Sequence, residues 1–516
     1  MSANAAELAT PALSESEARR AEMLTDGRDP DLPANHPINA LSRTRKTLIM
    51  ATLAYCGFLS QFAVAIILVA LVPLAVDLKV TPGDIASTIG YSLLGYAVGP
   101  LFWNPLCRTV GRRPVYLLGS LIFLPVCIWL ALSPNYASFA VARVFLGLTL
   151  AFSQTVPPAT VADIFVPAVR GQKMAMYAVA VVTAPAIAPF FCGLIIHKAS
   201  WRVLFWFCLG LGGLQFIMFF FLVPETLWVE DTPGTGEERI EEEKDRHAAS
   251  TETKDTIAHL EAHPHIHGAM GHGSTGHVGA EWMPWHRPAE YLLLCVSPVA
   301  MLRYIVIIVP SFYYGLLFAW MVGITVVTPQ TLGAPPFNFR VIPLGCAFLA
   351  YGIGGVLGLW SGGLVGDKTV AYFARRNGRR EPEDRLWALL PILPLKFLGL
   401  LIMGLDLKFH WHWIGLLVGG GIYFFCLSAA TGVLQTYVLE TYLPKSMDTM
   451  AVFNFWRMMW GFAVAFFAYN WGLKSGFLEE YITQGALAAG LGFILCAALI
   501  WKGRAIRQWQ GMPMFE

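Results

Sequence analysis

Charge is scarce in this sequence. Asp, Glu, Lys and Arg supply 14% of its 516 residues, against about a quarter in a typical water-soluble domain. With hydrophobic types at 56%, so little charge cannot cover a water-facing surface, and most of the chain is built for lipid as solvent. The formal net charge of +2 gives no bulk electrostatic case for nucleic acid as a partner. No Asp or Glu stands near the centre of any long apolar run. The nine cysteines never take Cys-x-x-Cys spacing and mostly lie inside apolar runs, as small buried hydrophobes do. The sequence also lacks a Walker-type phosphate loop, a two-metal cluster and any nucleophile–base spacing, which argues against direct ATP drive and against an enzyme. No secretory signal peptide opens the chain. Residues 1–42 are polar and mixed in charge and read as a disordered tail.

What the chain has instead is apolar runs of spanning length. A transmembrane helix needs roughly 20 mostly apolar residues. Windows of that size fall at 47–76, 85–106, 113–133, 137–165, 171–196 and 201–223, then at 301–328, 341–365, 386–405, 413–438, 449–472 and 481–501. One long polar insert, 224–298, separates the two sets of six. The expected fold is therefore an all-α membrane protein with twelve spans in two halves, 43–223 and 299–501, followed by a tail at 502–516. Basic residues orient it. Alternate connections carry Arg108, Arg112, Arg113, Arg170, Lys368, Arg375, Arg376 and Arg385, while the others carry little beyond Lys79, Lys198, Arg202, Arg340, Lys408 and Lys474. By the positive-inside rule both termini and the central insert are expected in the cytoplasm.

Several motifs sit at informative places. The run from Gly99 to Pro114 reads Gly-Pro-Leu-Phe-Trp-Asn-Pro-Leu-Cys-Arg-Thr-Val-Gly-Arg-Arg-Pro and joins the second and third spans. It resembles the signature loop of the major facilitator superfamily, a Gly followed by Asp-Arg-x-Gly-Arg-Arg. Gly111, Arg112 and Arg113 match, but Arg108 and Thr109 stand where the family has Asp-Arg. A second copy, Gly363-Leu-Val-Gly-Asp367-Lys368, comes six spans later and keeps the acid, as an internal repeat should. Arg143 and Gly147 in the fourth span resemble the Arg-x-x-x-Gly signature that the proton-coupled branch keeps near its path. The alternative is an Arg143 that snorkels to the surface. Asp163 and Arg170-Gly171 resemble the linker of fungal drug:proton antiporters, with Asp163 a partner for Arg112 or Arg113. Pro185, Pro189 and Gly193 keep part of the antiporter signature of the fifth span, with alanines at its key glycines. Trp201-Arg202 and Pro224-Glu225-Thr226 also resemble fungal members.

The resemblance implies a secondary transporter, exporting a drug-like compound, secondary metabolite or organic acid, with a proton as coupling ion and no cofactor. It further implies a monomer in the plasma membrane. Uptake of an organic cation or nutrient, or a sensor that keeps the fold without transporting, stands as the alternative. Substrate sites in this fold lie near mid-depth between the halves. The polar candidates there are Gln61, Arg143, Gln154, Tyr313, Tyr314, Tyr423, Asn454 and Arg457, with Tyr55, Ser60, Tyr91, Tyr96, Trp320, Ser428 and Thr431 beside them. Arg457 and Lys396 are deep basic residues, and a charge inside the bilayer points to function by default. Without a central acid, a cationic substrate is disfavoured against a neutral or anionic one. Most of the 12 histidines fall within the central insert, in a glycine-rich setting that reads as a flexible linker, with a regulatory metal or pH response as the other reading. No metal site is expected in the path.

Overall fold

The computed structural model describes residues 37–227, 288–377, 382–442 and 446–511. The tail before residue 37 and the histidine-rich stretch lie outside the described residues. Twelve helices are long and apolar enough to cross a membrane. They are α1 (Arg43–Ala65), α2 (Pro82–Val110), α3 (Arg112–Leu132), α4 (Tyr136–Ile164), α5 (Val169–Ile196), α6 (Arg202–Leu222), α7 (Ile305–Gly333), α8 (Val341–Arg376), α9 (Pro382–Phe409), α10 (Trp413–Thr441), α11 (Asp448–Ser475) and α12 (Phe477–Gln510). They form two six-helix halves. Because the number is even, α1 begins and α12 ends at the same face, called the terminal face below.

Local chemistry sets the helix ends. Thr81 and Asp84 close a capping box on α2 with Pro82 in the first turn, and the Asn135 side chain accepts from the Ser138 N–H to start α4. Between α1 and α2 the Asp77 carboxylate accepts from the Trp201 indole and pairs with Arg202 at 2.6 Å, tying this connection to the start of α6. The indole hydrogen bond, then the Arg202 contact, hold its pKa below the usual carboxylate range.

Five elements differ from the expected layout. The first run does not continue to residue 76. It breaks after Ala65 and resumes as a short helix, Leu71–Leu78, because Arg143 takes the carbonyls of Ala63 and Val64 that would have carried the ladder onward. The fourth span is broken in the middle by a 3-10 turn, Ala151–Gln154. Pro157 and Pro158 cause it, since neither can donate to the carbonyls of Ser153 and Gln154. The segment with Gly363, Asp367 and Lys368 is not a loop. It lies inside the helix Val341–Asn377, whose second half is free of proline, so nothing stops the ladder there. Within the tail expected to be disordered, residues 37–40 instead form a short helix held by a bond from Lys46 Nζ to the Ile38 carbonyl, and α12 runs on through the expected second tail to Gln510.

Lipid tails are as apolar as leucine, so helices inside a bilayer associate through close packing and polar contacts. Glycines supply the closeness. A Cβ on Gly147 would overlap the Ser92 carbonyl oxygen, and one on Gly95 the Val144 carbonyl, so α2 and α4 meet backbone to backbone. On α8, Gly354, Gly358 and Gly362 face the backbones of Gly421, Phe425 and Ala429 on α10. The two halves meet in the same way in the half of the membrane away from the terminal face. There Gly345 of α8 lies against the Pro189 carbonyl of α5, and Gly90 of α2 against the Phe462 carbonyl of α11. Gly147→Leu should therefore destabilise the fold by about 1–3 kcal/mol through overpacking. Gly213→Leu, at a position with open space around it, should leave the melting temperature of the purified protein in detergent unchanged. Equal melting temperatures for the two variants would refute the backbone-contact account.

Candidate functional site

Arg457 marks the centre. It lies nine residues beyond Asp448, which puts it about 14 Å along α11 from the terminal face. Its Nη2 donates to Gln154 Oε1 at 2.6 Å, a bond between the C-terminal and N-terminal halves. Its guanidinium carbon stands 5.1 Å from the centre of the Phe318 ring of α7. Tyr96 of α2 and Tyr177 of α5 lie within the field of its charge. Helices α4, α7 and α11 thus meet at one guanidinium. Its Nε is buried without an acceptor, and no acid among the described residues forms an ion pair with it.

The broken α4 positions Gln154. With the Ser153 carbonyl released by Pro157, the Tyr177 hydroxyl donates to it across α5. The Leu148 carbonyl, one turn earlier, accepts from the Trp103 indole at 2.8 Å. Gly99 lets α2 approach Ala151 at the break, where a Cβ would collide with that side chain. Further aromatic contacts join α7 to α11. Tyr314 stacks on Phe453 at 4.7 Å between centroids and shares a 2.8 Å hydrogen bond with Thr431, while Trp456 and Trp460 each stand 5.1 Å from Phe312.

The other candidates divide. Arg143 does not reach the surface. It is fully buried and donates to Val64 at 2.8 Å and Ala63 at 3.2 Å, so it closes the carbonyl end of α1, where the helix dipole favours a cation. Tyr313 and Tyr423 spend their hydroxyls on backbone carbonyls, of Ala488 and Leu317, each at 2.7 Å. They tie helices of the C-terminal half rather than face the junction. Asn454 and Gln61 are buried on α11 and α1. Lys396 is fully buried in α9 beside Cys426 and Cys496, and its Nζ has no hydrogen-bond partner.

At the terminal face the signature residues form two networks with the same plan. In the first half Arg112 pairs with Asp163 at 2.6 Å, and Arg170 Nη2 donates to the Ala162 carbonyl at 2.9 Å. In the second half Arg385 pairs with Asp367 and Glu440, each at 3.1 Å, and Arg507 with Glu383 at 3.3 Å. Gly111 turns with φ of 105°, and a Cβ there would meet the Glu225 carboxylate. That carboxylate accepts the N–H groups of Arg112 and Arg113, each at 3.0 Å, and caps α3. Lys368 is exposed. Among these described residues Gly363 has open space around it, so it makes no close helix contact.

Sequence reasoning missed Asp448, Ser297 and Tyr177. Arg108, standing where the family has an acid, pairs at 3.0 Å with Asp448 in the first turn of α11, on the other half of the molecule. Ser297, on the helix Pro288–Ala300, donates to the same carboxylate at 2.8 Å. The charges at this position are exchanged between the halves, and the acid sits where the α11 dipole favours it. The signal was present in Arg108 itself: a basic residue in an acid's place calls for an acid opposite. Tyr177 could have been sought from Pro157-Pro158, which must leave a carbonyl needing a donor.

Buried Asp448 makes the Arg108 pair testable. A double-mutant cycle of Arg108→Gln and Asp448→Asn, read by unfolding of the purified protein in mixed micelles, should give a coupling of about 0.5–3 kcal/mol. Additive effects within error would show the two side chains to be independent.

Comparison with known proteins agrees with this architecture. The sequence profile of the Major Facilitator Superfamily matches residues 53–468. The chain is 27% identical over 435 residues to dityrosine transporter 1 of Saccharomyces cerevisiae, spanning 83% of this chain and 75% of that protein. It is 25% identical over 445 residues to the transporter penM of Penicillium rubens, 85% and 80% of the two chains, and 21% identical over 499 residues to the antiporter QDR3 of Candida albicans, 80% and 72%. The crystal structure of a D-xylose–proton symporter superimposes with a TM-score of 0.59 at 13% identity, over 88% of this chain and 97% of that one, which establishes likeness of fold. The chain is a transporter of the major facilitator superfamily, of the fungal type.

Proposed function

We propose that this transporter is a secondary active, proton-coupled exporter of small organic molecules: drug-like compounds, secondary metabolites or organic acids. It acts as a monomer in the plasma membrane, with the terminal face in the cytoplasm. The observation that carries the reading is the 2.6 Å contact of Arg457 with Gln154. It joins the two halves at mid-depth through one polar bond, with the Phe318 ring beside it. A small molecule that replaces Gln154 at the guanidinium changes the contact between the halves directly. A carrier needs such a contact, since a ligand can shift a conformational equilibrium only by binding its states unequally.

The basic clusters at Arg108, Arg112, Arg113 and Arg385 support the orientation. The naming of the Candida albicans relative as an antiporter supports export coupled to a counter-moving proton. The absence of an acid paired with Arg457 among the described residues counts against an organic cation as cargo.

The test is accumulation of labelled compounds, drawn from neutral and acidic classes, in cells with and without the protein. At least one compound should accumulate less in expressing cells, and a protonophore should erase the difference. Equal accumulation for all compounds, a difference that survives the protonophore, or higher accumulation in expressing cells would each overturn the proposal. A tag inserted between residues 230 and 280 should be accessible only after the plasma membrane is permeabilised.

A further inference from the structure

We infer that the Arg457 site recognises a carboxylate, so that the cargo is an organic acid with an aromatic or flat apolar body. The inference deepens the transport reading and rests on it.

The argument starts from the valence of the guanidinium. Arginine carries five N–H donors in a planar fork that matches a carboxylate in a bidentate way. At Arg457 one of these donors reaches a neutral amide oxygen, Gln154 Oε1, and Nε is buried with no acceptor. The Phe318 face, 5.1 Å away, supplies a weak cation–π contact but no countercharge. The buried arginines elsewhere in the chain are provided for differently. Arg143 has backbone carbonyls from the end of α1, while Arg112 and Arg385 have carboxylates. The Nε groups of Arg112 and Arg385 are likewise buried without an acceptor, but each of those two has a carboxylate on its fork; Arg457 alone among these four stands at the junction between halves with neither a carboxylate nor a helix's carbonyl end to compensate its charge. A neutral cargo leaves that charge as it is, and a cation is repelled by it. A carboxylate supplies both the missing charge and the missing acceptor.

The surroundings specify the rest of the molecule. Around Arg457 stand Phe318 and, one helical turn away on α7 and α11, Tyr314 stacked on Phe453, an apolar aromatic wall on the C-terminal side. Tyr96, beside Ser60 and Ser153, and Tyr177 are the hydroxyl-bearing groups on the N-terminal side. Such walls favour a flat apolar body next to the charged group. Gln154 is the side chain the carboxylate would displace. Its amide oxygen accepts from the guanidinium in this structure and yields to a charged acceptor, which makes a stronger hydrogen bond.

The experiment uses the purified full-length transporter in proteoliposomes with an imposed pH gradient. The probes are a matched pair, labelled 3-phenylpropionate and its uncharged analogue 3-phenylpropionamide. Wild type should move the acid faster than the amide above the protein-free leak. Arg457→Gln should lower acid flux roughly tenfold or more, and Arg457→Lys should recover part of it. Gln154→Glu places a carboxylate on the guanidinium and should block the acid as strongly as Arg457→Gln while raising the melting temperature, a gain that a misfolded variant cannot show. The inference is overturned if wild type shows no acid flux above leak, if it moves the amide as well as the acid, or if Arg457→Gln carries the acid unchanged. If other compounds still leave cells in a protonophore-sensitive way in those cases, the exporter reading survives and only the carboxylate assignment fails.

Discussion

A guanidinium at mid-bilayer depth is tolerable only if acceptors surround it, and much of this structure follows from how its deep arginines are supplied. Arg143 draws on the carbonyls of α1, which is why α1 stops at Ala65. Arg112, buried at the terminal face rather than at mid-depth, is matched by Asp163 on the end of α4. Arg457 has only the amide of Gln154, held at the right depth because α4 is broken one turn before two prolines. The first two arrangements lie within one half and supply carbonyls or a carboxylate. The third is incomplete and spans both.

The prolines that break α4 have consequences beyond the kink. They release a carbonyl at Ser153 that must be satisfied in a medium without water, and the Tyr177 hydroxyl of α5 does so. The break, the Tyr177 tie and the approach of α2 through Gly99 form one unit, so Gln154 is not a free side chain on a smooth helix. Its position is determined by backbone chemistry on three helices. This explains how a single amide can serve as the contact between halves without a salt bridge to fix it.

The twelve spans were legible because lipid imposes one requirement, length and apolarity, that sequence states outright. The depth of Arg457 and the absence of central acids were legible for the same reason: a charge in an apolar run stands out. Asp163 was expected opposite Arg112 or Arg113 from its resemblance to an antiporter linker, and the structure pairs it with Arg112. The Arg457–Gln154 bond was not, because both residues appeared only as separate candidates and nothing in the chain says which helices face one another. Tyr313 and Tyr423 illustrate the limit. By sequence they resemble Tyr314, yet their hydroxyls turn to backbone carbonyls inside one half. Rotation about the helix axis decides, and an almost uniformly apolar helix gives no hydrophobic face from which to read it. The displaced second signature segment failed for another reason. The Gly363–Lys368 segment was placed between the eighth and ninth spans by the repeat, but no proline follows it in the Val341–Asn377 helix, so the helix runs through it.

The two ends of the interface between halves are built from different physics. Away from the terminal face, Gly345 on Pro189 and Gly90 on Phe462 bring backbones into direct contact. Such contacts are short-ranged and are lost together when the helices move by a fraction of an ångström. Near the terminal face the contact is Arg108 with Asp448, where Arg108 is about a quarter exposed and the acid is buried. An ion pair at the water boundary weakens gradually with distance, because water can enter and hydrate each charge as they part. Ser297 adds a third member from the segment leading into α7, so the chain that connects the halves is attached to the same carboxylate. The acid at 448 therefore takes part in three things at once: the start of α11, the partner of α2 and the anchor of the connecting helix. Removing its charge leaves Arg108 and Ser297 without their acceptor and α11 without a favourable first turn. That concentration on one residue is possible because Arg108 stands in the acid's usual place. With the charges the other way round, the cation would have to sit at the positive end of α11, where the helix dipole opposes it.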